Sequence, residues 1–147
     1  MPLARKEQEL GELGFVAPSS TYHRFQTGLT GEKMSSSEPE TAIFLSDSVD
    51  EAKDKINQAK TGGKPTAEQQ RREGANPYAC PIFELYTYHL MPDDDDLEDI
   101  EARCSGGDIL CGACKGIAKE RTETLLEDHE DRREETADDI DRLVRED

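Results

Sequence analysis

The sequence has no tryptophan, only 5% aromatic residues and few large apolar side chains of any kind. Leu, Ile, Val and Phe together number 26 of 147. With 35% charged residues, this is the composition of a disordered chain unless the apolar positions fall into register. No apolar run approaches the ~18 residues that a membrane-spanning helix needs, so no such helix is expected. Met1-Pro2-Leu3-Ala4-Arg5-Lys6 turns polar too soon for a secretory leader, and a cytoplasmic location is expected. Basic residues are also scarce: Lys+Arg number 18 against 34 Asp+Glu, a net charge of −16. That excludes a basic nucleic-acid-binding patch in its simple form.

The shortage of positive charge is uneven. Residues 1–74 carry 10 basic and 12 acidic side chains, net −2, whereas residues 75–147 carry 8 and 22, net −14. An acidic surface keeps a protein dissolved at a cost in self-repulsion that salt screens. It reads either as a solvated face or as adaptation to a salt-rich cytoplasm.

What is present is mostly helical punctuation. Residues 5–14 suit a short helix ending at Gly14, and Phe15-Val16 suits the end of a buried strand. Residues 28–40 form a loop rich in glycine and hydroxyl side chains, and Ala42-Ile43-Phe44-Leu45 anchors the chain again. Ser48-Val49-Asp50-Glu51 is a capping box, with Val49, Ala52, Ile56 and Ala59 on one stripe behind it and Gly62-Gly63 as the stop. Thr66 to Gln69 repeats the box for a short polar helix closed at Gly74. Pro81 suits a first turn, followed by Ile82, Leu85, Tyr86, His89 and Leu90 at helical spacing until Pro92. This periodicity places His89 on the apolar face as a core histidine. Asp93 to Asp96 sits where carboxylates favour a helix start, and Leu97, Ile100 and Cys104 share a face until Gly106-Gly107. A last helix starts near Asp108, with Leu110, Cys114 and Ile117 on one side and Leu125 and His129 further on, and frays after residue 130.

Two groups of residues carry chemistry. In Gly28-Leu29-Thr30-Gly31-Glu32-Lys33-Met34-Ser35-Ser36-Ser37 one lysine stands among glycines and hydroxyls. Exposed amides wrap phosphate oxygens, the ammonium is a point charge for a polyphosphate, and the hydroxyls add donors. A serine-rich linker is the bland alternative. The second group is Cys80, Cys104, Cys111 and Cys114, spaced C-x23-C-x6-C-x2-C. Cys111 and Cys114 lie one helical turn apart and can face one centre. In a cytosolic protein, disulfides explain such a set poorly. Zinc in a Cys₄ tetrahedron, an iron–sulfur cluster and buried inert thiols all stay open.

Lys33-Met34-Ser35-Ser36-Ser37 resembles the KMSKS signature of class I aminoacyl-tRNA synthetases. Gly28-Leu29-Thr30-Gly31, Glu38-Pro39, Ile43-Phe44-Leu45-Ser46-Asp47, Thr61-Gly62-Gly63-Lys64 and Arg72-Glu73-Gly74-Ala75-Asn76-Pro77 match its tryptophanyl branch in order. The resemblance runs from about residue 15 to 130 and looks most like an archaeal, salt-adapted member. It implies a mostly α chain: the C-terminal edge of a Rossmann-type catalytic domain (1–45), an α-helical anticodon-binding domain (46–130) and an acidic helical or frayed tail (131–147).

By resemblance, the loop closes over ATP, held with Mg, while tryptophan is activated. Lys33 then stabilises the departing pyrophosphate, Ser35 and Ser37 hold the loop or phosphates, Ser36 stands where the signature has its second lysine, and Met34 packs. The family's HIGH-type histidine pair is not among His23, His89 and His129, so an upstream half-site is missing and the chain alone is expected to be inactive. The cysteine spacing resembles C-x22-C-x6-C-x2-C, the four-iron four-sulfur motif of some tryptophanyl enzymes, with one extra residue after Cys80. The implied partners are tRNA(Trp), tryptophan and ATP, with a homodimer for the full-length family. A non-catalytic tRNA-binding fragment and a structural metal-binding domain are the rival readings.

Overall fold

The capping box at Ser48 forms as the sequence directs. In the computed structural model, which describes Thr21 and residues 25–137, the Ser48 hydroxyl accepts the Glu51 amide at 3.3 Å. The Glu51 carboxylate accepts the Ser48 amide at 2.9 Å. Both orphan donors are thereby satisfied, and helix α1 (Val49–Gln58) starts there. At Thr66 only half of the second box appears. Thr66 caps Gln69, but the Gln69 side chain turns to Glu73 at 3.0 Å. Helix α2 (Ala67–Glu73) follows and stops at Gly74.

A 3₁₀ turn (Pro77–Ala79) leads to the short helix α3 (Pro81–Leu85), which Cys80 precedes as its N-cap. The chain then winds through a π turn (Tyr86–Leu90), α4 (Asp94–Gly106) and α5 (Cys111–Ala137). Another 3₁₀ turn, Pro39–Thr41, lies ahead of α1. Among the described residues there is no strand, only an isolated bridge between Ser35 and Glu38. The helix and strand expected over residues 5–16, His23 and the last ten residues lie outside the described ones.

α1 packs along α5. Ala52 and Ile56 are fully buried between them, and Lys53 pairs with Glu123 at 2.7 Å. Ile82, Leu85, Tyr86, Leu90, Ile100 and Ile109 complete one core. With each such side chain contributing ~1.5–3 kcal/mol on burial, this small set must supply most of the stabilisation.

Three expectations are corrected here. His89 is exposed and bonded to Gln26 at 2.9 Å, because the wider π turn carries Leu90 inward in its place. The buried stripe of α5 is Cys114, Ala118, Thr122 and Leu126, so Leu125 faces solvent at 38% exposure and His129 is only half-buried. α5 starts at Cys111, three residues beyond the expected start near Asp108, and runs to Ala137, the helical one of the two forms expected after residue 130.

Candidate functional site

The loop around Lys33 is closed by its own backbone and one buried side chain. The Gly28 amide donates to the Glu32 carbonyl at 2.7 Å, and the Gly31 amide to the Gly28 carbonyl at 2.8 Å. Gly31 takes φ +85°, a conformation that favours glycine. The hydroxyl of Thr41, 2% exposed, accepts the Ser35 amide at 2.9 Å and donates to the Glu38 carbonyl at 2.7 Å. Ser35 and Ser37 hydroxyls share a hydrogen bond at 2.8 Å. Lys33 and Ser36 are exposed, and Lys33 forms no hydrogen bond or ion pair among the described residues. Met34, expected to pack, is 39% exposed. The loop therefore presents one uncommitted cation and a row of hydroxyls to solvent.

The four cysteines arrive from four places. Cys80 is the N-cap of α3, Cys104 lies in the last turn of α4, Cys111 opens α5, and Cys114 stands one turn later. All four line one cavity of about 20 Å³, together with Gln70, Ile82, Ile109 and Lys115. The thiols are free. Cys111 donates to the Gln70 side-chain oxygen at 3.4 Å, and Cys114 to the Tyr86 hydroxyl at 3.7 Å. Burial pushes the Cys104 thiol up to about 11, with added repulsion from Cys114, Cys80 and Cys111. Cys114 is raised by burial, partly offset by Tyr86. Lys115 donates to the carbonyls of Asn57 and Ala59 at 2.7 and 2.6 Å, and burial lowers its ammonium pKa.

Convergence of the four thiols is thus present, but coordination geometry is not: among the described residues no three cysteine, histidine or carboxylate side chains stand ready as a metal cage. The donor chemistry fits a thiophilic metal, since four sulfurs and no carboxylate line the cavity. A void of this size admits a single ion.

Several residues that matter here were not marked by sequence reasoning. Gln70 is 4% exposed inside a helix that reads as wholly polar, and its amide also reaches the Ile109 carbonyl at 3.3 Å. Glu84 interrupts the apolar face of α3 and accepts the amide and hydroxyl of Thr27 at 2.7 and 2.6 Å. An acid inside an apolar stripe was the signal available for it. Thr41, Gln70 and Lys115 carried none.

Residues 2–127 match the family of tRNA synthetases class I (W and Y). The chain belongs to that family. Within it, the chain is 51% identical over 128 residues to the tryptophan–tRNA ligase of Archaeoglobus fulgidus, covering 87% of this chain and 30% of that protein. Tryptophan–tRNA ligase 1 of Halobacterium salinarum is 50% identical over 133 residues, covering 90% and 26%. The fold is that of the tryptophanyl-tRNA synthetase of Aeropyrum pernix, with a TM-score of 0.84 at 46% identity over 88% of this chain and 35% of that one. The chain spans about a third of the length of the curated synthetases it matches. No described helix is long and apolar enough to cross a membrane.

Proposed function

We propose that this chain is the C-terminal part of a tryptophan–tRNA ligase, with Lys33 as its contribution to amino-acid activation. The observation that carries this reading is the exposed Lys33, without a partner among the described residues, on a loop shut by Thr41 in a chain of this family. In that reaction the tryptophan carboxylate attacks the α-phosphorus of ATP, and the bond to pyrophosphate breaks. The Lys33 ammonium meets the negative charge that builds on the leaving group, and the hydroxyls of Ser35, Ser36 and Ser37 donate to phosphate oxygens. The segment to residue 45 then belongs to the catalytic domain, and the helices from Ser46 onward hold the anticodon region of tRNA(Trp).

Cys80, Cys104, Cys111 and Cys114 hold a metal centre that cross-links α3, α4 and α5, supported by their shared cavity. When bound, the metal would supply a structural tie between the elements that carry its four sulfurs. Four cysteine sulfurs suit a single zinc ion, whereas their spacing resembles the iron–sulfur motif. Elemental analysis of anaerobically purified protein separates the two.

The activation role is tested by tryptophan-dependent exchange of pyrophosphate into ATP. This chain alone is expected to show no exchange. In a longer protein that contains it, Lys33→Ala should lower the exchange rate by ~10²–10³-fold while tryptophan affinity holds. Equal rates for the two longer proteins would remove Lys33 from the chemistry.

A further inference from the structure

We propose that Glu84 and Lys115 are positioning residues that tie the base of the Lys33 loop to the cysteine cluster, so that metal held by the thiols tightens that base. The inference rests on the metal reading of the thiols given above. It stands on two separate chains of contact, one from Cys80 and one from Cys114.

The first runs through α3. The Cys80 carbonyl accepts the Glu84 amide at 3.1 Å, in the helical turn that Cys80 caps. The Glu84 carboxylate in turn accepts both the amide and the hydroxyl of Thr27, 57 residues away in sequence. Thr27 immediately precedes Gly28, where the loop begins. The second runs through α5. Lys115 follows Cys114, lines the cysteine cavity and grips the carbonyls of Asn57 and Ala59. The next amide, that of Lys60, donates to the Leu29 carbonyl at 2.8 Å, and the Leu29 amide donates to the Thr41 carbonyl at 2.8 Å. Leu29 is 5% exposed. The two chains thus hold Thr27 and Leu29, on either side of Gly28, from opposite ends of one thiol cluster.

Both chains have their inner ends in residues that a metal would fix relative to each other. In the metal-free protein, α3 and the first turn of α5 are held together by core packing and the Tyr86 hydrogen bond, with no covalent link between them. With the thiols cross-linked, opening the loop base requires breaking hydrogen bonds whose anchors no longer yield. Tyr86 adds a third tie between the two anchors through its bond to the Cys114 carbonyl.

The test is amide hydrogen exchange on this chain, metal-free and after loading with zinc or, anaerobically, with iron and sulfide, metal content being measured in parallel. Loading should slow exchange at Thr27 and Lys60 by about tenfold more than at Thr124, far along α5. In Glu84→Ala the response at Thr27 should vanish while that at Lys60 persists. Glu84→Gln should restore it, because an amide oxygen still accepts from Thr27. In Lys115→Met the Lys60 response should vanish. Metal bound in stoichiometric amount with no extra slowing at either amide overturns the coupling and leaves the metal reading intact. Failure to bind any metal overturns the metal reading and the coupling with it. Because the wild-type comparison needs no substitution, the outcome does not hang on a variant that fails to fold.

Discussion

The phenol of Tyr86 donates to the carbonyl oxygen of Cys114, 28 residues further along the chain, at 2.5 Å. Tyr86 is fully buried, and burial raises its pKa. The bond joins the start of the π turn to the first turn of α5 inside the core. Tyr86→Phe keeps the ring and loses the bond, which should cost about 1 kcal/mol in urea unfolding. Stability equal to wild type would show that the bond contributes nothing net.

Thr122 is 1% exposed, and its hydroxyl oxygen has no hydrogen-bond partner among the described residues. A buried hydroxyl without a partner costs about 1–3 kcal/mol. Thr122→Val replaces it with a methyl of the same shape on the face of α5 that packs in the core. The variant should therefore unfold at a higher urea concentration than wild type, with an unchanged slope. A lower midpoint contradicts the assignment.

Glu51 is held below the usual carboxylate range by the hydroxyl and amide of Ser48. A carboxylate depressed on folding contributes stability that is present above its unfolded value and is lost as pH falls through the folded one. Exchange protection in the first turn of α1 should therefore fall as the pH is taken below ~4.3. Glu51→Gln should flatten that part of the profile, since its side chain reaches Ser48 without a titrating proton. An unchanged profile would place the acid sensitivity elsewhere.

Gly63 lies against the thiol cluster: a Cβ there would stand 2.5 Å from the Cys111 sulfur and 2.8 Å from the Gln70 side-chain oxygen. In the metal-free chain both atoms can swing aside. With the sulfur committed to a metal, it cannot. Gly63→Ala should thus lower metal affinity by at least about tenfold, as disturbing the surroundings of a metal site commonly does, while the metal-free melting temperature changes little. Cys111→Ala and Cys114→Ala should abolish binding, and so should Cys80→Ala, because Cys80 shares the cavity despite its longer spacer. Undiminished metal content in all three variants would sink the site.

Local signals were legible in the sequence, and long-range ones were legible only by likeness to a family. Ser48 and Glu51 could be paired on paper because three residues separate them and the capping geometry is self-contained. Gly107 ends α4 with φ +81°, as its place after the Cys104 face suggests. Leu125 misled because a leucine outranks a threonine on any hydropathy scale, yet the buried stripe of α5 runs through Ala118, Thr122 and Leu126 instead. His89 misled because it lies within the π turn, where the wider winding turns it outward while Leu90 stays buried, and periodicity assumes 3.6 residues per turn throughout. The link from Thr27 to Glu84 spans too much chain for any local rule. Cys104, Cys111 and Cys114 read as a group from their short spacing, whereas Cys80 joined them on paper through the spacing shared with the family, and in the folded chain it lines the same cavity.

The latch at Thr41 bears on how the Lys33 loop changes shape. Apart from short contacts within the loop, one hydroxyl holds the stretch from Ser35 to Glu38 closed, accepting at one end and donating at the other. Releasing it costs two hydrogen bonds whose groups water can serve instead, a net of ~1–3 kcal/mol. If the loop holds a polyphosphate as proposed above, two or three charge-assisted contacts outweigh that cost, so the ligand itself can reshape the loop.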